Sequence, residues 1–171
     1  GFDDVIIGAA ALGTLRNAYN IAGGAGDGPN NERHNAGEVY VVFGRPDLPR
    51  DIDLNANPPQ DLLVVYGADG GENSPDRLGE EIVTADINGD GLADMLLGAY
   101  RADGPGNSRP DAGDVCVVYG ARDLPGRVID LVDPPEGTML IYGARDQAIA
   151  GDAIAAGDIH GDGYDDLFIG V

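Results

Sequence analysis

Two stretches of this chain repeat each other 76 residues apart. Residues 37–44 read GEVYVVFG and residues 113–120 read GDVCVVYG. The offset persists through Leu48-Pro49 and Leu124-Pro125, Pro58-Pro59 and Pro134-Pro135, and Val65-Tyr66-Gly67-Ala68 and Ile141-Tyr142-Gly143-Ala144. A second family of matches links residues 1–10 (GFDDVIIGAA), 91–100 (GLADMLLGAY) and 163–171 (GYDDLFIGV), at offsets of 90 and 72. The unequal offsets place the length differences in connections. The segment from Ala9 to Ala36 is 28 residues where its counterpart, Ala99 to Ala112, is 14, and a smaller insertion falls at residues 70–76. Loops tolerate insertion and packed elements do not, so this is the pattern of a repeated supersecondary unit.

The repeated segments are short, rich in Val, Ile, Leu and aromatics, and bounded by Gly, Pro and Asp, which predicts strands. Their apolar residues run on without alternating, which predicts sheets buried on both faces. A repeat of 72 to 76 residues holding four such strands fits radially stacked β-propeller blades, with a two-layer sandwich as the alternative. The expected fold is therefore all-β, a partial propeller of four-stranded antiparallel sheets. Residues 1–67 form an incomplete blade of three strands, 79–143 a complete blade of four, and 151–171 the first two strands of a third. Two repeats do not close a ring, so further blades are expected from a longer chain or from other protomers.

Between two predicted strands lies Asp86-Ile87-Asn88-Gly89-Asp90-Gly91-Leu92-Ala93-Asp94, and its copy is Asp158-Ile159-His160-Gly161-Asp162-Gly163-Tyr164-Asp165-Asp166. Both fit D-x-[NDH]-x-D-G-x-x-D. A hard divalent cation such as calcium takes six to eight oxygens, and a turn with oxygen donors on alternate residues can wrap it. Asp86, Asn88, Asp90 and Asp94, with the Leu92 carbonyl, are the expected ligands of the first site. Asp158, His160, Asp162 and Asp166, with the Tyr164 carbonyl, are those of the second, which His160 should weaken because an imidazole nitrogen suits hard ions poorly. Residues 1–4 read as the closing part of a third such loop, with Asp4 as its ligand. An EF-hand is excluded: its twelfth position needs Glu, and here it is Leu97 or Ile169. An Asx-rich hairpin turn holding no ion is the competing reading.

The charge agrees with a cation partner. Ten Arg and no Lys stand against 30 acidic residues, giving a net charge of −20, and Asp outnumbers Glu about four to one. Asp is the carboxylate of turns and tight oxygen cages. A chain of this sign repels nucleic acid and anionic membrane surfaces. No apolar run has the length of a membrane helix, so membrane insertion is not expected.

These residues resemble the FG-GAP repeat of integrin α-subunit propellers and of many bacterial surface and secreted proteins. The D-x-N-x-D-G-x-x-D loop, the Gly-Ala strand ends at Gly8-Ala9 and Gly98-Ala99, and the aromatic-Gly ends at Phe43-Gly44, Tyr66-Gly67, Tyr119-Gly120 and Tyr142-Gly143 carry the resemblance. The resemblance implies a seven-bladed, calcium-stabilised propeller used in extracellular or cell-surface recognition, with Asp86, Asn88, Asp90 and Asp94 as ligands. The Gly-Ala-Pro ending of the family is Gly-Ala-Ala and Gly-Ala-Tyr here.

Little in the chain points to catalysis. It has two His, one Cys and Ser only at 74 and 108, in no recognisable nucleophile and base pattern. Cys116 occupies the place of Tyr40 in mid-strand, as a small buried hydrophobe does. The expected function is a calcium-binding recognition or adhesion module for a protein or carbohydrate ligand. The alternatives are part of a secreted propeller-fold polysaccharide hydrolase or lyase, or a structural cell-surface repeat. The long connection, on the face opposite the metal loops and beside residues 69–78, offers Arg16, Tyr19, Asn20, Arg33 and His34 as ligand-binding candidates; a merely tolerated insertion is the bland alternative.

Overall fold

A computed structural model describes residues 2–10, 26–54, 61–71 and 75–171. Ten strands form among them: β1 (Val5–Ala9), β2 (Glu38–Val42), β3 (Leu62–Tyr66), β4 (Ile82–Ala85), β5 (Asp94–Ala99), β6 (Asp114–Val118), β7 (Val128–Asp130), β8 (Thr138–Tyr142), β9 (Ile154–Gly157) and β10 (Asp166–Ile169). Helical structure among the described residues is limited to two three-residue 3-10 turns, Pro29–Asn31 and Pro105–Asn107. The fold is all-β, and its sheets are partial propeller blades.

The middle blade has the order β4-β5-β6-β8, antiparallel throughout. The opening blade runs β1-β2-β3, and β9 pairs β10 in the third. The repeat appears in the register: Val39 faces Val65 in the opening blade as Val115 faces Ile141 in the middle one.

Stacking explains the continuous apolar runs. Every residue of β2 and β5 is buried, as are four of the five in β6. One face of the middle sheet, with Met95, Leu97, Cys116 and Val118, packs into a core shared with Val39, Val41, Leu63 and Val65 of the opening blade. Its other face, with Leu96, Val115 and Val117, packs against Ile154, Leu167 and Ile169 of the third. A strand between two cores has no solvent face to pattern. Each fully buried Leu or Val contributes roughly 1.5–3 kcal/mol, which makes these two interfaces the main source of stability. Cys116 is 1% exposed and its thiol is pushed up to about 12 by burial, so it acts through packing.

One element departs from the expected division of the chain. β7 lies within residues 79–143 but joins the opening blade, running parallel to β3 with Val64 opposite Val128 and Tyr66 opposite Asp130. The middle blade draws its four strands from that range without β7, and the opening blade gains a fourth strand from 128–130 rather than stopping at three. The physical reason is the exposed edge of β3: the β6 to β8 connection reaches across and satisfies it, through Val64 N–H to the Arg127 carbonyl (3.1 Å) and Leu131 N–H to the Tyr66 carbonyl (3.0 Å).

Candidate metal centre

The hairpin between β4 and β5 is closed by the pair Ala85 and Asp94, leaving residues 86–93 to form its tip. Gly89 and Gly91 take positive φ (71° and 81°), turning the chain so that side chains fold inward over it. Asp86 is the hub. Its Oδ1 accepts the Asp90 N–H (3.0 Å) and its Oδ2 the Gly91 N–H (2.9 Å). Asn88 Oδ1 also accepts the Asp90 N–H (2.9 Å), Asn88 Nδ2 donates to Asp90 Oδ2 (3.0 Å), and Asp90 Oδ1 accepts the Leu92 N–H (2.8 Å). Asp94 is fully buried and spans the base of the loop, taking Ile87 N–H on Oδ2 (3.0 Å) and Gly120 N–H on Oδ1 (2.8 Å). Asp86, Asn88, Asp90 and Asp94 thus share one turn with most of their oxygens held by backbone donors; among the described residues the acidic group whose ligand atoms converge within 4.8 Å is Asp158, His160 and Asp166 of the later turn, not these three carboxylates. Each oxygen retains lone pairs, and an all-oxygen set of three carboxylates and an amide fits a hard divalent ion.

The 158–166 turn repeats the frame with a different donor. Asp158 accepts three backbone N–H groups, from Gly161 (2.6 Å), Asp162 (3.2 Å) and Gly163 (2.9 Å), and these bonds, Gly163's first, hold its carboxyl below the usual range. The Tyr164 N–H donates to Asp162 Oδ1 (3.0 Å), and the Ile159 N–H to Asp166 Oδ2 (2.9 Å). The His160 ring lies among the acids, with Nδ1 3.0 Å from Asp166 and Nε2 2.9 Å from Asp162. Its pKa is raised, chiefly by the Asp166 hydrogen bond. Here a nitrogen stands where a hard ion takes oxygen, so the donor set suits calcium less well than that of the first loop.

Asp4 reproduces the Asp94 role in the opening blade, its Oδ1 accepting the Gly44 N–H at 2.7 Å. The two complete loops also touch. Asp86 N–H donates to Asp165 Oδ2 (2.9 Å) and Asp165 N–H to the Asp86 carbonyl (3.0 Å), while the Tyr164 ring covers Gly89, where an added Cβ would lie 2.5 Å from Cε1. Asp165 therefore ties the third blade to the hub of the first loop, a role its counterpart Ala93 has no side chain to perform. Asp165→Ala should cost about 1 kcal/mol, the scale of one net hydrogen bond. That is a fall of about 2–4 °C in melting temperature for a chain of this size. Asp165→Asn, which keeps an acceptor, should recover most of it; equal melts for both variants would refute the link.

Of the recognition candidates, Arg33 and His34 belong to the connection that enters β2 at the other end of the sheets. Ala9 pairs Glu38 and Ala99 pairs Asp114, at the strand ends away from the loops. Arg16, Tyr19 and Asn20 fall outside the described residues. Arg33 is committed to the fold: Nη1 donates to the Gly67 carbonyl (2.7 Å), and the guanidinium grips Asp130 of β7 in a bidentate pair (2.7 and 2.6 Å). Arg109 reaches the Gly143 carbonyl in the same way. His34 is half exposed, 3.4 Å from Asp27, and its carbonyl accepts the Gly71 N–H (2.6 Å), which seats the connection beside the inter-blade segment. Asp27 Oδ1 holds the Asn35 N–H (2.9 Å) as Asp103 Oδ1 holds that of Asp111 (2.8 Å). The signal for this shared architecture was present in the sequence: Asp27-Gly28-Pro29 with Arg33 returns at the 76-residue offset as Asp103-Gly104-Pro105 with Arg109.

The sequence around the first loop has counterparts among known proteins. Residues 78–118, from the inter-blade segment through the first loop to β6, match the FG-GAP repeat profile. Phosphatidylinositol-glycan-specific phospholipase D of Homo sapiens is 36% identical over 97 residues, covering 55% of this chain and 11% of that protein. The Bos taurus protein of that name is 36% identical over 94 residues and the Mus musculus protein 37% over 97, with the same coverage. The chain thus spans 11% of the length of the curated relatives it matches.

Proposed function

With an FG-GAP repeat at residues 78–118 as premise, we propose that this chain is a calcium-binding segment of an extracellular, integrin-like propeller that recognises a protein or carbohydrate ligand. The observation that carries the reading is the oxygen-lined turn of Asp86, Asn88, Asp90 and Asp94, a donor set suited to calcium. In that role the ion neutralises three carboxylates that otherwise repel one another, fixing a loop that also contacts the next blade through Asp165. Calcium is then structural, and recognition belongs to the propeller surface. No helix among the described residues is long and apolar enough to cross a membrane, and extracellular calcium concentrations match the affinity typical of such modules, about 10⁻⁴ to 10⁻³ M.

The relatives named as phospholipase D favour a second reading, in which the segment belongs to a secreted enzyme and helps position its substrate. The described residues offer little for chemistry: Ser108 donates to the Pro105 carbonyl and Cys116 is buried in the core. Arrays of immobilised glycans and extracellular proteins, probed with the intact chain in calcium and in chelator, separate the readings. Saturable, calcium-dependent binding to a protein or to a glycan other than the glycosylphosphatidylinositol anchor is the expected result. Binding confined to the anchor glycan would favour the second reading, and no calcium-dependent binding to any array member would contradict the first.

A further inference from the structure

We propose that the outer edge of β8, with Arg109 beside it, is a docking site for residues 51–54 of a second copy of this chain, added to the middle blade as a parallel strand. The contact is already built once inside the chain. β3, the counterpart of β8 at the 76-residue offset, carries β7 on its outer edge in parallel. Gly126 N–H donates to the Leu62 carbonyl (2.9 Å), Val64 N–H to the Arg127 carbonyl (3.1 Å) and Leu131 N–H to the Tyr66 carbonyl (3.0 Å). Arg33 clamps that strand through Asp130 (2.7 and 2.6 Å) while its Nη1 also donates to the Gly67 carbonyl at the end of β3.

The middle blade presents the same socket without the strand. Among the described residues β8 pairs with β6 and has no strand on its other edge. Four residues of β8 are partly exposed and Tyr142 is 38% exposed, where four of the five in β3 are buried. Arg109 Nη1 donates to the Gly143 carbonyl at the end of β8, as Arg33 does to that of Gly67. A strand that fits is also in the chain. Leu124-Pro125 leads to Ile129-Asp130-Leu131, and Leu48-Pro49, with one residue fewer between, leads to Ile52-Asp53-Leu54. This second strap forms no strand in the opening blade, and residues 46–53 are exposed, Leu48 to 44% and Ile52 to 38%. An extended segment added to an open edge gains main-chain hydrogen bonds, and its side chains set the specificity. Ile52 takes the place of Ile129, and the Asp53 carboxylate that of Asp130, against the Arg109 guanidinium. Strap and socket belong to different blades, so the contact is head-to-tail.

Sedimentation velocity of the intact chain over a concentration series tests this, in about 0.15 M salt to screen the net charge of −20. The parent is expected to associate weakly, as suits a small interface. Ile52→Asp removes the apolar residue of the strap and Arg109→Gln the charged clamp; each should weaken association about tenfold or more. Mixing the two variants brings an intact socket on one copy to an intact strap on the other. A one-to-one dimer that grows no further is the expected result. A parent that stays monomeric throughout, or association unchanged by either substitution, would overturn the proposal. So would a mixture no more associated than the variants alone. Arg109 also holds Gly143, so circular dichroism checks the fold of its variant. Ile52 is exposed, and Ile52→Asp decides the question by itself if Arg109→Gln misfolds.

Discussion

Gly143→Ala will lower the melting temperature of this chain by roughly 6–12 °C, the shift that about 3 kcal/mol produces in a protein of this length. A Cβ on Gly143 would lie 1.9 Å from the Ala112 carbonyl oxygen and 2.6 Å from its carbon, both backbone atoms of the connection that enters β6. No rotamer relieves that contact, and the Gly143 N–H to Gly113 carbonyl bond (2.7 Å) holds the two segments together. The first repeat has the same approach, with a Cβ on Gly67 placed 2.0 Å from the Ala36 carbonyl oxygen. The aromatic-Gly ending of these strands is therefore a packing requirement: the aromatic residue closes the strand and glycine lets the neighbouring chain cross at contact distance. Gly157 is the control, since a Cβ there meets nothing within 4 Å. Thermal melts in which the Gly143 and Gly157 alanine variants behave alike would remove this explanation.

Asp76→Asn should stabilise the chain at pH 8 and flatten its pH dependence. Asp76 is 5% exposed, and burial, with smaller contributions from Asp69, Asp114 and Asp103, pushes its carboxyl up to about 7, against the compensating N–H of Asp69 at 2.8 Å. A carboxyl raised in the fold keeps its proton where the unfolded chain has lost it. Its contribution to stability is therefore complete below about pH 4 and is lost as pH rises through about 7. A displacement from 3.8 to about 7 corresponds to roughly 4 kcal/mol lost across that window. Asparagine keeps an acceptor for Asp69 and carries no charge at any pH, so the variant should retain at pH 8 most of the stability that the parent has lost. Asp114, pushed up to about 6 by its own burial, remains in the variant and leaves a shallower slope. Denaturant unfolding from pH 4 to 8 measures both curves; parallel curves would show that Asp76 is not the group responsible.

What could be read in the sequence and what could not divides along physical lines. The strands other than β7 were legible because each is a short, mostly apolar segment with a counterpart in another repeat, and in β2, β5 and β6 burial on both faces writes itself into consecutive residues. β7 was not: Val128-Ile129-Asp130 is too short to carry a periodicity, and the β3 edge that makes it a strand lies more than 60 residues earlier in the chain. The loop ligands were legible because they are local, with donors on alternate residues of one turn. The link from Asp165 to Asp86 is not local, and neither is the bidentate hold of Arg33 on Asp130. An arginine in a long, polar connection looks like a ligand contact until its partner across the sheet is known. Buried Asp76 was hidden for another reason. In a chain with 30 acidic residues, composition gives no sign of which one has been desolvated.

The turn at residues 86–94 is proposed to bind calcium, and the fold to depend on that ion. Calorimetric titration of calcium into the chelator-treated chain, run beside Asp90→Ala and followed by melts with and without the ion, tests it most directly. The expected result is saturable binding in the range of about 10⁻⁴ to 10⁻³ M. The melting temperature should rise with calcium by mass action, and both effects should be lost or sharply reduced in Asp90→Ala. No binding heat together with an unchanged melt, or an Asp90→Ala variant that titrates as the parent does, would contradict it.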